Sequence, residues 1–264
     1  MSDHLRELLL STGLLPLAAG GLMLAMILIG RRVGTKIRTR TSGESFKADE
    51  TIVGAVFGLL ALIMAFTFSG ASDRYDHRRE LIAKEVSTIG TAYASIDLLP
   101  TGDQPRLRES FRELVDERIN LYQEIVRRNG YEKRLEQFEK IRNQLWTEAV
   151  RSVKKTPFPE KLVAAQILPE ISDMNDALDN QRLAMKMHPP KIIMQSLLAL
   201  ILIGAFVTGY NLGLTNKSDW LLIPLFVILM AGTYYVTVNL EYPLIGFINL
   251  DDFQVELVHL RQSM

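Results

Sequence analysis

Apolar and polar positions are organised on two scales along this chain. On the long scale, four runs contain no Lys, Arg, Asp or Glu: Leu8 to Gly30, Thr51 to Ser72, Ile192 to Asn216 and Trp220 to Leu240. Each reaches or passes the ~20 apolar residues that cross a ~30 Å hydrocarbon layer. A charge at the bilayer centre costs at least ~2.5 kcal/mol, so runs this clean predict membrane spans rather than soluble core helices. On the short scale, the segment between the second and third runs is densely charged, and its apolar residues recur every three or four positions. That period predicts amphipathic helices.

No charge-free linker separates the second run from Asp73, Arg74, Asp76 and Arg78, so its helix is expected to continue into water as one rod. Leu81, Ile82, Val86, Ile89 and Ala92 mark the face it buries, and Pro100 ends it after Leu98 and Leu99. Asp103 is placed as the cap of a second helix with Pro105 in its first turn, and Asn129 and Gly130 stop it. Leu107, Phe111, Leu114, Leu121 and Ile125 line its apolar face. Leu135, Phe138, Ile141, Leu145, Ala149 and Val153 repeat the spacing in a third helix, which should pair with the second as an antiparallel hairpin. A fourth stretch runs from Leu162 past Pro169 to Met187, and Pro189–Pro190 ends it at the membrane surface. The first and last helices of this bundle are expected to extend from spans two and three. A short amphipathic segment opened by Asp251 and Asp252 follows, with Phe253, Leu257 and Leu260 on one face, packed on the bundle or the bilayer surface.

The pattern predicts an all-α integral membrane protein of four transmembrane helices, with a helical extramembrane bundle inserted between spans two and three. A first membrane hairpin occupies 1–72 with spans at 8–30 and 51–72, and the charged helical domain covers 73–190. A second hairpin occupies 191–241 with spans at 192–214 and 220–240, and a juxtamembrane segment covers 242–264.

Composition narrows the chemistry. Thirty basic residues balance thirty acidic ones, which gives no support for nucleic acid as the main partner. With no cysteine there are no disulfides, thiolate nucleophiles or Cys-type metal centres. His4, His77, His188 and His259 share no ligand spacing, and no phosphate loop, nucleophile elbow or dinucleotide fingerprint occurs. The residues support no enzyme, no metal site and no cofactor.

Three groups of residues stand out. Gly54 and Gly58, extended by Ala61, Ala65 and Ser69, form a small-residue face on span two that suits close helix packing within the chain, or an oligomer or pore seam. Arg74, Asp76, Arg78, Arg79 and Glu85 cluster where span two leaves the bilayer, and serve either topology and headgroup contact or a positive ring at a pore mouth. Asn239, Glu241, Pro243 and Gly246 mark the exit of span four, where a boundary carboxylate is expected to be solvated or paired with a nearby Arg. Trp220, Tyr234 and Tyr235 read as interfacial anchors.

Those same positions carry a family resemblance. Ala65-Phe-Thr-Phe-Ser-Gly-Ala followed by Arg74, Asp76, Arg78, Arg79, Glu85, Ile89, Gly90, Thr91 and Ala92, then Leu98-Leu99-Pro100, resembles the bestrophin-like domain family of uncharacterised bacterial membrane proteins. Pro189–Pro190 fits as well, and Asn239-Leu-Glu241-Tyr-Pro243-Leu-Ile-Gly246-Phe-Ile248 is similar to a family pattern of Asp-x-Asp-x-Pro-x-x-Gly-x-Ile. Here Asn239 and Glu241 replace the two aspartates. The resemblance implies an oligomeric chloride channel with its helical domain in the cytoplasm. The dense acidic cluster that holds calcium in bestrophins has no counterpart beyond Asp251–Asp252, which argues against calcium gating.

Two functions follow. In the first, the protein is a homo-oligomeric anion channel of the bacterial plasma membrane, its span-two small-residue face lining the path and the arginine cluster attracting chloride. In the second, it is a membrane scaffold or sensor whose helical domain binds a partner protein. The charge flanks do not decide orientation: Arg31, Arg32, Lys36, Arg38, Arg40 and Lys47 follow span one, while Arg74, Arg78, Arg79, Lys84, Arg182, Lys186 and Lys191 flank the other side.

Overall fold

In a computed structural model, residues 14–40, 49–127, 131–215, 221–244, 247–248 and 250–264 are described. Among them every regular element is helical, and four helices are long and apolar enough to cross a membrane. The elements are α1 (Leu15–Arg40), α2 (Glu50–Ala94), α3 (Gln104–Arg127), α4 (Glu132–Lys155), α5 (Glu160–Ala164), α6 (Ile167–Lys186), α7 (Lys191–Thr215), α8 (Leu222–Glu241) and α9 (Asp251–Ser263). The chain divides into two compact units, one from 1–75 with 188–248 and one from 76–187 with 249–264.

The first unit is the membrane half. It holds α1, the apolar part of α2, α7 and α8, around a core that includes Met23, Ile27, Leu60, Leu197, Ile201, Ala205, Val227, Ala231 and Tyr234. Its closest pairing is α1 against α7, where main chain meets main chain. A Cβ built on Gly30 would lie 2.2 Å from the Phe206 carbonyl oxygen, and one on Gly34 2.2 Å from that of Tyr210. From the other side, a Cβ on Gly209 would lie 2.0 Å from the Ile27 oxygen, and one on Gly213 2.3 Å from that of Arg31. Two Gly-x-x-x-Gly steps thus interlock, the arrangement that lets helices associate in lipid without a hydrophobic drive. Pro16 falls in the first turn of the described helix, where it leaves the hydrogen-bond ladder intact. The helix also runs on past Gly30 to Arg40, so Arg31, Arg32, Lys36, Arg38 and Arg40, which follow the span expected at 8–30, are helical, while Lys47 lies outside the described residues. Tyr234, expected as an interfacial anchor, is instead buried in the core, while Trp220 lies outside the described residues.

The second unit is a helical bundle. Its core joins Ile89 of α2 and Ile96, just past the end of α2, with Phe111, Leu114, Leu145, Ile167, Ile171 and Met174. The helix α2 is continuous to Ala94, tightens to a 3₁₀ turn at Ser95–Leu98, and leaves Leu99 extended before Pro100. This is the predicted end, imposed by the ring of Pro100 on the preceding backbone. α3 and α4 form the predicted antiparallel hairpin: Arg106 pairs with Glu148 near one end and Arg134 with Glu124 near the other. Asp103 precedes α3, and its carboxylate accepts a 2.7 Å hydrogen bond from the Ser152 hydroxyl of α4. The expected stop at Asn129–Gly130 lies outside the described residues.

Two expectations about the bundle helices need correction. The fourth stretch is not one helix but α5 and α6, parted at Ala165–Gln166, with Pro169 accommodated in the first turn of α6. Nor does the last bundle helix extend from span three. Met187 is extended, and residues 187–190 are non-helical, because Pro189 and Pro190 bias the residues before them away from helix. The carboxyl-terminal α9 packs on the bundle: Leu257 is fully buried in its core and Leu260 lies against it. The Arg261 guanidinium meets both Asp116 carboxylate oxygens at 2.8 and 2.9 Å.

Candidate functional site

Within the membrane unit, the small-residue face of α2 is open. Gly54, Gly58, Ala61, Ala65 and Ser69 are all exposed, and a Cβ on Gly54 or Gly58 would meet nothing within 4 Å. Among the described residues, packing within the chain, one of the two uses read from the sequence, does not occur at this face. The helix turns its other side inward: Leu60 is buried, Phe57 and Leu60 approach Gly204 of α7, and Thr67 is buried with its hydroxyl bonded back to the carbonyls of Ile63 and Met64.

At the exit of α8, Glu241 is fully buried with its neighbours Thr237 and Asn239. Its carboxylate is held from two sides. Arg74 Nε donates to Oε2 at 2.8 Å, and His188 Nδ1 lies 3.1 Å from Oε1. The Tyr242 ring lies over the His188 ring at 4.6 Å between centroids. The expected arginine partner of the boundary carboxylate is therefore Arg74. The Asn239 side-chain oxygen accepts from the Ile248 backbone N–H at 3.4 Å. Pro243 is buried just past the helix end, and Gly246 lies outside the described residues.

In the bundle unit, the remaining members of the charged cluster are also engaged. Arg78 is only 3% exposed and donates to the carbonyls of Ala184 at 3.2 Å and Met187 at 2.9 Å. The Ala184 carbonyl belongs to the last turn of α6, which has no further helical donors, and Met187 is the residue that follows it; the guanidinium caps this end and opposes the negative end of the helix dipole. Arg79 binds Asp76 at 2.9 Å on the surface. Glu85, fully buried, meets Arg118 of α3, with Nη2 at 3.0 Å from Oε2 and Nε at 2.6 Å from Oε1. Arg118, which interrupts the apolar repeat of α3, is thus the partner of that buried carboxylate. A ring of free positive charge at the end of span two is not what these residues form.

Sequence reasoning missed the Gly30/Gly34 and Gly209/Gly213 steps, although the motif is the same as at Gly54/Gly58. It also missed His188, dismissed for want of ligand spacing, because its carboxylate partner is far along the chain. Among the described residues no group of three or more His, Asp or Glu is arranged to hold a metal ion.

The fold has solved relatives. A bacterial bestrophin homologue from Klebsiella pneumoniae, in a variant form, matches with a TM-score of 0.68 at 10% identity, covering 93% of this chain and 98% of that one. Another structure of the homologue gives 0.61 at 12% identity over 91% and 97% of the two chains. A structure described as a membrane protein gives 0.66 at 10% identity over 91% and 98%. No curated protein sequence matches. At the sequence level, the model of the Bestrophin-like domain matches residues 20–252, nearly the whole chain, and the protein belongs to that family.

Proposed function

We propose that the protein is an oligomeric bestrophin-like ion channel of the bacterial plasma membrane, with α2 lining the path through Gly54, Gly58, Ala61, Ala65 and Ser69. One observation carries this reading: that face is both small and uncovered. Elsewhere the membrane unit presents large apolar side chains to its surroundings, such as Leu17, Leu24 and Leu28 on α1 and Leu225, Ile228 and Leu229 on α8, as lipid contact requires. A bare small-residue stripe admits the close approach of other copies and leaves room for water and ions between them. The same openness disfavours the scaffold reading, which needs the stripe packed shut.

The family resemblance makes chloride the first ion to test. The juxtamembrane arginines do not add to that choice, since Arg74, Arg78 and Arg79 are each bound to protein oxygens. This reading keeps the helical domain in the cytoplasm, as the resemblance implies. Because the chain has no native cysteine, single cysteines at Thr39 and Lys133, labelled from either side of sealed vesicles, report orientation directly.

The functional test is flux into liposomes containing the purified oligomer, with chloride and sodium measured separately. Wild-type flux above empty vesicles, abolished by Gly58→Leu and kept by Gly232→Leu, is the expected result; Gly232 also has nothing within 4 Å but lies on α8. Sodium flux in place of chloride retains the channel and changes its ion. A monodisperse oligomer that passes neither ion overturns the channel and returns the scaffold, and a monomer overturns the shared path.

A further inference from the structure

We infer that α1 carries a binding site for the headgroup of an anionic phospholipid, with the acyl chains lying along the same helix face. A groove of about 480 Å³ is lined by Leu28, Arg31, Arg32, Thr35, Lys36 and Thr39. These positions recur at three- and four-residue intervals, so they form one face of the helix. Followed back toward the membrane, the same spacing reaches Leu24, Gly21 and Leu17. Leu17, Leu24 and Leu28 are large, apolar and exposed, and a Cβ on Gly21 would meet nothing within 4 Å. An uncovered apolar face on a membrane-crossing helix is solvated by lipid tails, and the glycine leaves a notch in it. The cations begin immediately after Gly30, where the charge-free run ends. The occupant this surface fits is therefore amphipathic: apolar along Leu17 to Leu28, anionic at Arg31 to Lys36.

The cations are available. Among the described residues no carboxylate pairs with Arg31, Arg32 or Lys36. By contrast, Arg74, Arg106, Arg118 and Arg142 each face an acidic side chain. Guanidinium forks match phosphate oxygens in pairs, and a lysine ammonium adds a mobile point charge. Thr35 also lines the groove and offers a hydroxyl to an ester or glycerol oxygen, while that of Thr39 already donates to the Lys36 carbonyl at 3.0 Å. Free phosphate would satisfy the cations but leave the adjoining apolar face unused, which is why the site is assigned to a bilayer lipid.

The test uses the purified full-length protein in neutral detergent, titrated with short-chain phosphatidylglycerol, phosphatidylcholine or glycerol phosphate and read by native mass spectrometry and thermal midpoint. Phosphatidylglycerol is expected to bind and to raise the midpoint, with the other two at least tenfold weaker. The variant Arg31→Gln/Arg32→Gln/Lys36→Gln is expected to lose about fivefold in affinity per cation removed. Arg38→Gln/Arg40→Gln removes charge from the same helix outside the groove and is expected to change binding less than twofold. Equal loss in both variants overturns the site in favour of general attraction to the basic end of α1. Equal binding of phosphatidylcholine overturns the role of the cations, and competition by glycerol phosphate as strong as by the lipid overturns the role of the apolar face. The substituted side chains line an open groove, so an unchanged elution volume confirms folding. The comparison of the three probes on the wild-type protein tests the ligand's chemistry without any variant, and the paired variants test its place on α1.

Discussion

Replacing Gly209 by alanine tests the interlock that joins α1 to α7. The added Cβ would sit 2.0 Å from the Ile27 carbonyl oxygen, 2.6 Å from its carbon and 2.7 Å from its Cα. An ordinary C···O contact lies near ~3.3–3.6 Å, so the helices must part locally by more than ~1 Å. All three atoms are backbone, so no side-chain rotation relieves the clash. Parting by ~0.5–1 Å forfeits roughly a quarter to a half of each dispersion contact across the seam. Overpacking of this kind costs ~1–3 kcal/mol, and each lost Cα–H···O contact adds ~0.5–1 kcal/mol. A total near ~3 kcal/mol corresponds to a fall in thermal midpoint of roughly 6–12 °C. The assay is the surviving monodisperse peak of detergent-solubilised protein after stepwise heating. Gly21→Ala and Gly232→Ala serve as controls, since neither Cβ would meet anything within 4 Å and alanine is the better helix former. Their midpoints should hold or rise. Gly30→Ala acts on the same seam, against the Phe206 carbonyl, so combining it with Gly209→Ala should cost less than the sum once the helices have parted. A Gly209→Ala protein that melts with the Gly21→Ala control would refute the backbone contact.

Three further outcomes are expected. Glu85→Ala leaves the Arg118 guanidinium buried without its carboxylate and should destabilise the bundle by ~3–5 kcal/mol, whereas Glu85→Leu/Arg118→Met should recover most of that loss; Trp146 fluorescence in denaturant reads both. Glu241→Gln weakens its links to Arg74 and His188 together, and a double-mutant cycle with Arg74→Gln should give a coupling of ~1–3 kcal/mol in thermal unfolding, a value near zero counting against the pair. Asp116→Asn removes the bidentate contact of Arg261, a half-exposed pair worth no more than ~1 kcal/mol, so amide exchange in α9 should accelerate about fivefold while exchange in α4 stays unchanged.

The charged residues show most clearly where sequence reading stopped. Arg74, Arg78 and Glu85 are spaced so that one helix presents all three on a single side, the side that also carries Thr67, Ala71, Ile82 and Ile89, all of them buried. The period was legible at the apolar residues and was not extended to the charges among them. Read that way, Arg78 and Glu85 would have been expected inside with partners, instead of around a pore mouth. Their partners could not have been named: Arg118, the Ala184 carbonyl and Glu241 lie far along the chain from Glu85, Arg78 and Arg74.

By itself the sequence determined the four spans, the continuity of α2 beyond the membrane, its stop before Pro100 and the α3–α4 hairpin. These follow from quantities local to the chain: transfer free energy summed over ~20 residues, helical period, and the backbone restriction that proline imposes. Only the tertiary structure decided which Gly-x-x-x-Gly steps are buried and which stays bare. Gly54–Gly58 and Gly209–Gly213 are the same motif in sequence, and they differ only in whether another backbone arrives within contact distance. That depends on how helices distant in the chain are placed in space, which no local pattern encodes.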